Sequence, residues 1–162
     1  MRTHLALVAV PALLAGALLT GCSAQSSSGT TTSTAPAKTA ESIAKALGEK
    51  VPSVQLTKVF TTDDDPNHLL GRPGGYLSKS AFTDTRVPAE QAPNEFSTER
   101  GGGVEVFGDA AAAKARMDKI QGIAKDMGGL ISEYDYVNGT VLVRVTSLLT
   151  PEQAKEYEAA LT

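Results

Sequence analysis

Read from the amino end, the apolar residues change pattern twice. Leu5 to Leu18 is an almost unbroken apolar or small run of 14 residues, interrupted by Pro11 and Gly16. Residues 23–40, SAQSSSGTTTSTAPAKTA, hold nothing more apolar than alanine and proline. From residue 40 the apolar positions recur with a period, near 3.6 in some stretches and near 2 in others, so this part reads as helices and strands.

Ala40, Ile43, Ala44 and Leu47 place one stripe along a helix over 40–49, with Thr39 positioned to cap its start and Gly48 its end. Val51 to Thr61 predicts a strand in which Val54 and Leu56 alternate and Val59 changes phase, as across a bulge. Residues 62–80, TDDDPNHLLGRPGGYLSKS, carry turn signals throughout. Phe82 to Val87 predicts a short strand, and residues 88–103 read as a second loop closing on Gly101-Gly102-Gly103.

Beyond that point the signals sharpen. Val104 to Phe107 predicts a strand, and Asp109 caps a helix from Ala110 to about Met127 whose buried face is Ala113, Met117, Ile120, Ala124 and Met127. Gly128-Gly129 stops it. Leu130–Val137 and Thr140–Thr146 predict strands joined by Asn138-Gly139, a strong hairpin signal. A two-residue turn there sets Tyr136 against Val141, Tyr134 against Val143 and Ser132 against Val145 as one apolar face. It also sets Glu133 against Arg144, a cross-strand ion pair of the solvated side. Thr150-Pro151-Glu152-Gln153 is a capping box with proline at the first helical position, followed by the stripe Ala154, Tyr157, Leu161. The expectation is an α+β domain over residues 41–162: a small antiparallel sheet of about four strands with helices packed on one face.

The amino-terminal run has a separate meaning. Arg2 supplies a positive n-region, and 14 apolar residues are too few for a span that needs about 20. The run therefore reads as a secretory leader, and small residues lead from it to the only cysteine in the chain. Leu19-Thr20-Gly21-Cys22 resembles the lipobox of bacterial lipoproteins. The resemblance implies a diacylglyceryl group on Cys22, cleavage before it to remove residues 1–21, and a mature chain held at the outer face of the bacterial cytoplasmic membrane. Each buried methylene adds roughly 0.8 kcal/mol, and two acyl chains anchor stably where one is marginal. Residues 22–40 would then be the lipidated cysteine and a flexible Ser/Thr-rich tether with a reach of about 20–25 Å. The run from Asp65 to Asp84 resembles a segment of small uncharacterised lipoproteins of high-GC Gram-positive bacteria, which adds envelope context and no activity.

Composition narrows the chemistry. With Cys22 lipidated, no thiol remains for a disulfide, a metal or a nucleophile. The 15 Lys and Arg and 18 Asp and Glu are interspersed, so there is no basic run for nucleic acid and no polybasic patch for anionic lipid. Tryptophan is absent and aromatics are few, which disfavours a stacking surface. Asp63, Asp65 and Asn67 have the alternate spacing of a cation loop, but an EF-hand needs Gly where His68 stands and Glu where Gly74 stands. A solvated Asp-Pro turn is the plainer reading, with a weak non-EF cation site as the alternative. His68 would need Ser78 or Ser80 within reach to form a dyad, and no Gly-x-Ser-x-Gly elbow is present. Ser42-x-x-Lys45 lacks the partner motifs of penicillin-recognising enzymes. No cofactor is implied. Arg72 and Tyr76, with His68, sit on a glycine-hinged loop and are the candidate contacts for an envelope protein or a small ligand. The leading expectation is a non-enzymatic binding module. The alternatives are a small hydrolase or metal-dependent enzyme using the 62–80 loop, and a structural spacer.

Overall fold

The computed structural model describes residues 38–130 and 132–162. The leader, Cys22 and the tether up to residue 37 lie outside them. No described helix is long and apolar enough to cross a membrane.

The chain runs α1 (Ala40–Lys50), β1 (Val54–Val59), β2 (Ser78–Asp84), a short 3-10 turn (Thr98–Arg100), β3 (Gly101–Val106), α2 (Ala110–Asp126), β4 (Glu133–Asn138), β5 (Val141–Thr146) and α3 (Pro151–Ala160). The five strands form one antiparallel sheet in the order β1-β2-β3-β5-β4. This is the expected α+β class, with five strands rather than four.

Helix starts follow the local chemistry closely. Thr39 and Thr150 each close a capping box, with Ser42 and Gln153 respectively, and Asp109 accepts from the Ala112 N–H. Gly48 does not end α1, which continues to Lys50 and closes on Val51. Gly128 and Gly129, at φ 64° and 80°, end α2 in the left-handed region as expected. In β1 the register shifts between Leu56 and Lys58, so the inferred bulge is real.

Two strand boundaries depart from expectation. β2 begins at Ser78, four residues before the expected Phe82, and β3 takes in Gly101-Gly102-Gly103, which had read as loop. Propensity disfavours three glycines in a strand, but packing requires Gly101 and Gly102 here. A Cβ on Gly102 would lie 2.3 Å from the Phe82 ring and 2.2 Å from the Arg144 carbonyl oxygen. Phe82 faces Gly102 across the β2–β3 ladder, so its ring covers the bare backbone.

The hairpin register also differs. Asn138 pairs with Val141, leaving Gly139-Thr140 as the turn, and Tyr136 meets Val143 while Tyr134 meets Val145. Of the two turn residues only Gly139 has a positive φ, 57°, the demand of a turn with glycine first. The slip is two residues, so every side chain keeps its predicted face. Arg144 now stands opposite Asp135, with Glu133 one pair along.

The alternation sorts the sheet into two unlike faces. On the first lie Phe82, Val104, Val106, Val141, Val143 and Val145, with Tyr134 and Tyr136, beneath α1 (Ala40, Ala44, Leu47) and α3 (Ala154, Tyr157). Phe82 stacks on Tyr157 at 5.6 Å and 19°. The Tyr157 hydroxyl bonds Asp84 at 2.6 Å, and Arg86 forks the same carboxylate. Burial alone would raise the Asp84 carboxyl. Arg86 and Tyr157 outweigh it and hold the carboxyl below its usual value. The second face is where the expected one-sided packing gives way. α2 lies there, setting Ala113 and Ile120 on Leu142, Phe107 and Tyr76.

Candidate functional site

The second face is a charged surface that the fold has partly covered. Its inward positions include Lys79 on β2, Glu105 on β3, Arg144 on β5 and Glu133 and Asp135 on β4. Glu105, Arg144, Glu133 and Asp135 each alternate with an apolar residue of the first face, whereas Lys79 lies between Ser78 and Ser80. α2 covers one end of this face and adds Arg116.

Asp65 organises the loop between β1 and β2. Its side chain is fully covered, and Lys79 Nζ donates to it at 2.8 Å. The Tyr76 hydroxyl lies 2.7 Å from each of its oxygens, and the N–H groups of Asn67, Leu69 and Leu70 donate at 3.2, 2.8 and 3.1 Å. Burial would raise this carboxyl, but Lys79, Tyr76 and the backbone donors hold it well below the carboxylate range. Burial and the hydrogen bond to Asp65 push the Tyr76 hydroxyl up, so it stays protonated as a donor. His68, at φ 52°, takes the left-handed turn immediately before the two N–H groups that reach Asp65. The Asn67 amide satisfies its neighbours when its oxygen faces Lys79 Nζ at 3.1 Å and Arg116 Nη2 at 3.3 Å.

A second group continues across the sheet. Glu105, 1% exposed, accepts from Arg116 Nε at 3.0 Å and from Arg144 Nη1 at 3.3 Å. Arg144 also clasps Glu133 in a fork, Nε to one oxygen at 2.8 Å and Nη2 to the other at 2.9 Å. Asp135 stands beside this fork with both carboxylate oxygens buried and unpartnered.

Two hollows open on the face where α2 does not reach. The first, about 190 Å³, has Ala81 and Gly103 as floor, paired across β2 and β3, and Phe60, Phe96, Lys79, Ser97, Thr98 and Arg144 around it. The second, about 500 Å³, runs over Glu133, Thr146, Leu130 and Leu148 and shares Ser97, Thr98 and Arg144 with the first. Small side chains make the depression: at Gly103 even a Cβ would meet the Ser80 carbonyl oxygen at 3.0 Å. Arg144 has five N–H donors and uses three on carboxylates, so two remain for an acceptor in the hollows.

The sequence-predicted contacts fare unevenly. His68 and Arg72 are exposed on the loop. Tyr76 is 0% exposed and belongs to the core with Phe107 at 6.0 Å, so the expectation of a surface contact there is corrected. The loop folds inward because its one buried carboxylate needs the Tyr76 hydroxyl. Asp65 is likewise no solvated turn, and its oxygens already hold an ammonium, a phenol and three N–H groups, which a cation would have to displace. Asp63 is exposed, and Asn67 turns to the Lys79 and Arg116 side. Ser78 and Ser80 face α1: the Ser78 hydroxyl accepts from the Ala40 N–H at 2.8 Å and the Ser80 hydroxyl donates to the Ala40 carbonyl at 3.0 Å. Neither bonds His68. Ser42 serves the Thr39 capping box, while Lys45 pairs with Glu41.

Sequence reasoning passed over Lys79, Glu105, Arg116 and Asp135, and read the Glu133–Arg144 pair as solvated. Their signal was present as charged residues alternating with valines and tyrosines in β3, β4 and β5. Only the neighbouring strands and α2 show that these charges converge. No family model, curated protein or solved structure matches this chain.

Proposed function

We propose that this protein is a lipid-anchored, non-enzymatic binding module on the outer face of the bacterial cytoplasmic membrane, with the joined hollows around Arg144 as its ligand seat. The observation that carries the seat is the bare Ala81–Gly103 floor beside an arginine with unused donors. The hollows of about 190 and about 500 Å³ together fall in the range of small-ligand sites, roughly 300–1,000 Å³. Aromatic walls at Phe60 and Phe96, exposed Leu130 and Leu148, and the Arg144 donors suit a small molecule or peptide segment carrying apolar groups and a carbonyl or carboxylate. The anchor rests on Leu19-Thr20-Gly21-Cys22 and the apolar run before it.

The two halves are tested separately. Cys22→Ala should abolish palmitate labelling and release the protein from the membrane fraction. Retention of both would remove the anchor. For the seat, the full chain is immobilised and exposed to envelope extract, and the eluate is read by mass spectrometry. Thr98→Trp fills the shared rim from a half-exposed position and should lose the retained compounds, whereas Arg72→Ala on the outer loop should keep them. Equal retention by Thr98→Trp would take the hollows out of the reading.

A further inference from the structure

Among the described residues, Asp135 is the only one whose buried side-chain oxygens lack a well-formed hydrogen bond, the Gln121 amide and the Glu133 carboxyl bearing on them without completing one. It stands directly across the β4–β5 ladder from Arg144, where a carboxylate ordinarily meets a guanidinium. Arg144 turns instead to Glu133 through two N–H groups and to Glu105 through a third. The charge count on this face gives the reason. Lys79, Arg116 and Arg144 face Asp65, Glu105, Glu133 and Asp135, one carboxylate more than the cations neutralise.

The groups facing Asp135 come from each element around it. Glu133 is on its own strand and Arg144 on β5, while α2 contributes the neutral Gln121. Beyond Arg144 lie Glu105 of β3 and Arg116 of α2. Glu158 of α3 bears on Tyr136, on the opposite face of β4. Burial first, and then the Glu133 charge, push the Asp135 carboxyl up to about 7, against the opposing pull of Arg144 and Gln121.

We propose that Asp135 is a proton-binding site that decides which carboxylate Arg144 holds. With Asp135 protonated, Arg144 clasps Glu133. When the proton leaves to solvent, the new carboxylate draws on the same guanidinium, and Arg144 turns toward Asp135, through one of its two unused N–H groups or one taken from Glu133. Lys79 is tied to Asp65 and Arg116 to Glu105, so Arg144 is the cation in position to respond. Arg144 lines both hollows, so one proton resets the charged wall of the cleft. The exchange goes beyond the proposed ligand role and needs no ligand to occur.

The test is a titration of the full chain across roughly pH 4 to 9, following the Asp135 carboxyl by carbon-13 NMR and Arg144 Nε by nitrogen-15 NMR. Both should change with one shared midpoint near 7. Asp135→Asn should abolish the Arg144 transition. Glu133→Gln should lower the Asp135 midpoint by about a unit or more, since it removes the like charge and frees Arg144 to pair. A carboxyl that owed its shift to burial alone would keep its midpoint in Glu133→Gln. An ordinary Asp135 midpoint, an Arg144 signal that does not follow it, or an unmoved midpoint in Glu133→Gln would each overturn the proposal. The wild-type measurement decides the first two without any variant having to fold.

Discussion

Asp135→Asn isolates the energetic side of the buried carboxyl, because it keeps the shape and removes the charge. The folded chain holds this group near 7 instead of 3.8. Between those values the folded state keeps a proton that the unfolded state has released. Stability therefore falls as pH rises through that window and levels off above it. The gap is about three pH units at 1.36 kcal/mol each, a ceiling of about 4 kcal/mol. The residue is only half-buried, although its oxygens are covered, so solvent screening lowers the expectation to ~2 kcal/mol. The assay is equilibrium urea unfolding followed by far-ultraviolet circular dichroism, with wild type and variant compared near pH 4 and near pH 8. The variant should be the more stable by ~2 kcal/mol near pH 8, with the advantage almost gone near pH 4. Asp65 and Asp84 are common to both proteins, so their titration cancels in the difference. An advantage equal at the two pH values, or a wild type that is the more stable near pH 8, would refute the reasoning.

Three other outcomes follow from the same contacts. Lys79→Met leaves the Asp65 charge buried without its cation and should cost about 3–5 kcal/mol in the same urea assay, with a loss below about 1 kcal/mol excluding Asp65 as the hub of the loop. Gly102→Ala drives a methyl into the Phe82 ring and the Arg144 carbonyl and should cost about 3 kcal/mol or prevent folding, whereas Gly108→Ala, with nothing within 4 Å, should stay within about 0.5 kcal/mol of wild type. Asp65 and Asp84 titrate below 3.8 in the fold, so their contribution is present above that value and lost as pH falls through their lowered midpoints. The thermal midpoint should therefore drop in acid, and Asp84→Asn should flatten that drop; an acid limb identical in the variant would remove Asp84 from the account.

Much of this fold was legible along the chain because its signals are local. Capping needs only residues three apart, so Thr39, Asp109 and Thr150 announced their helices. Period-2 alternation needs only one strand, so the faces of β4 and β5 came out right even though the turn sits one residue later than expected. The misses share a cause. Gly101-Gly102-Gly103 is a strand because Phe82, some twenty residues earlier, covers it, and no local propensity reports that. Tyr76 looked like a loop contact because its partner Asp65 looked like a solvated turn. Each becomes buried only when the other arrives.

By itself, then, the sequence determined the element types and the side on which each residue of a strand falls. Both are set by neighbours within a few positions. Only the tertiary structure decided that one end of the polar side would be roofed by α2, because that depends on four strands and a helix coming together. Roofing changes the physics. The same charges that water would screen to near irrelevance now lie in a lower-dielectric setting, where four carboxylates and three cations must share contacts and the surplus carboxyl, that of Asp135, is pushed up by burial and by Glu133.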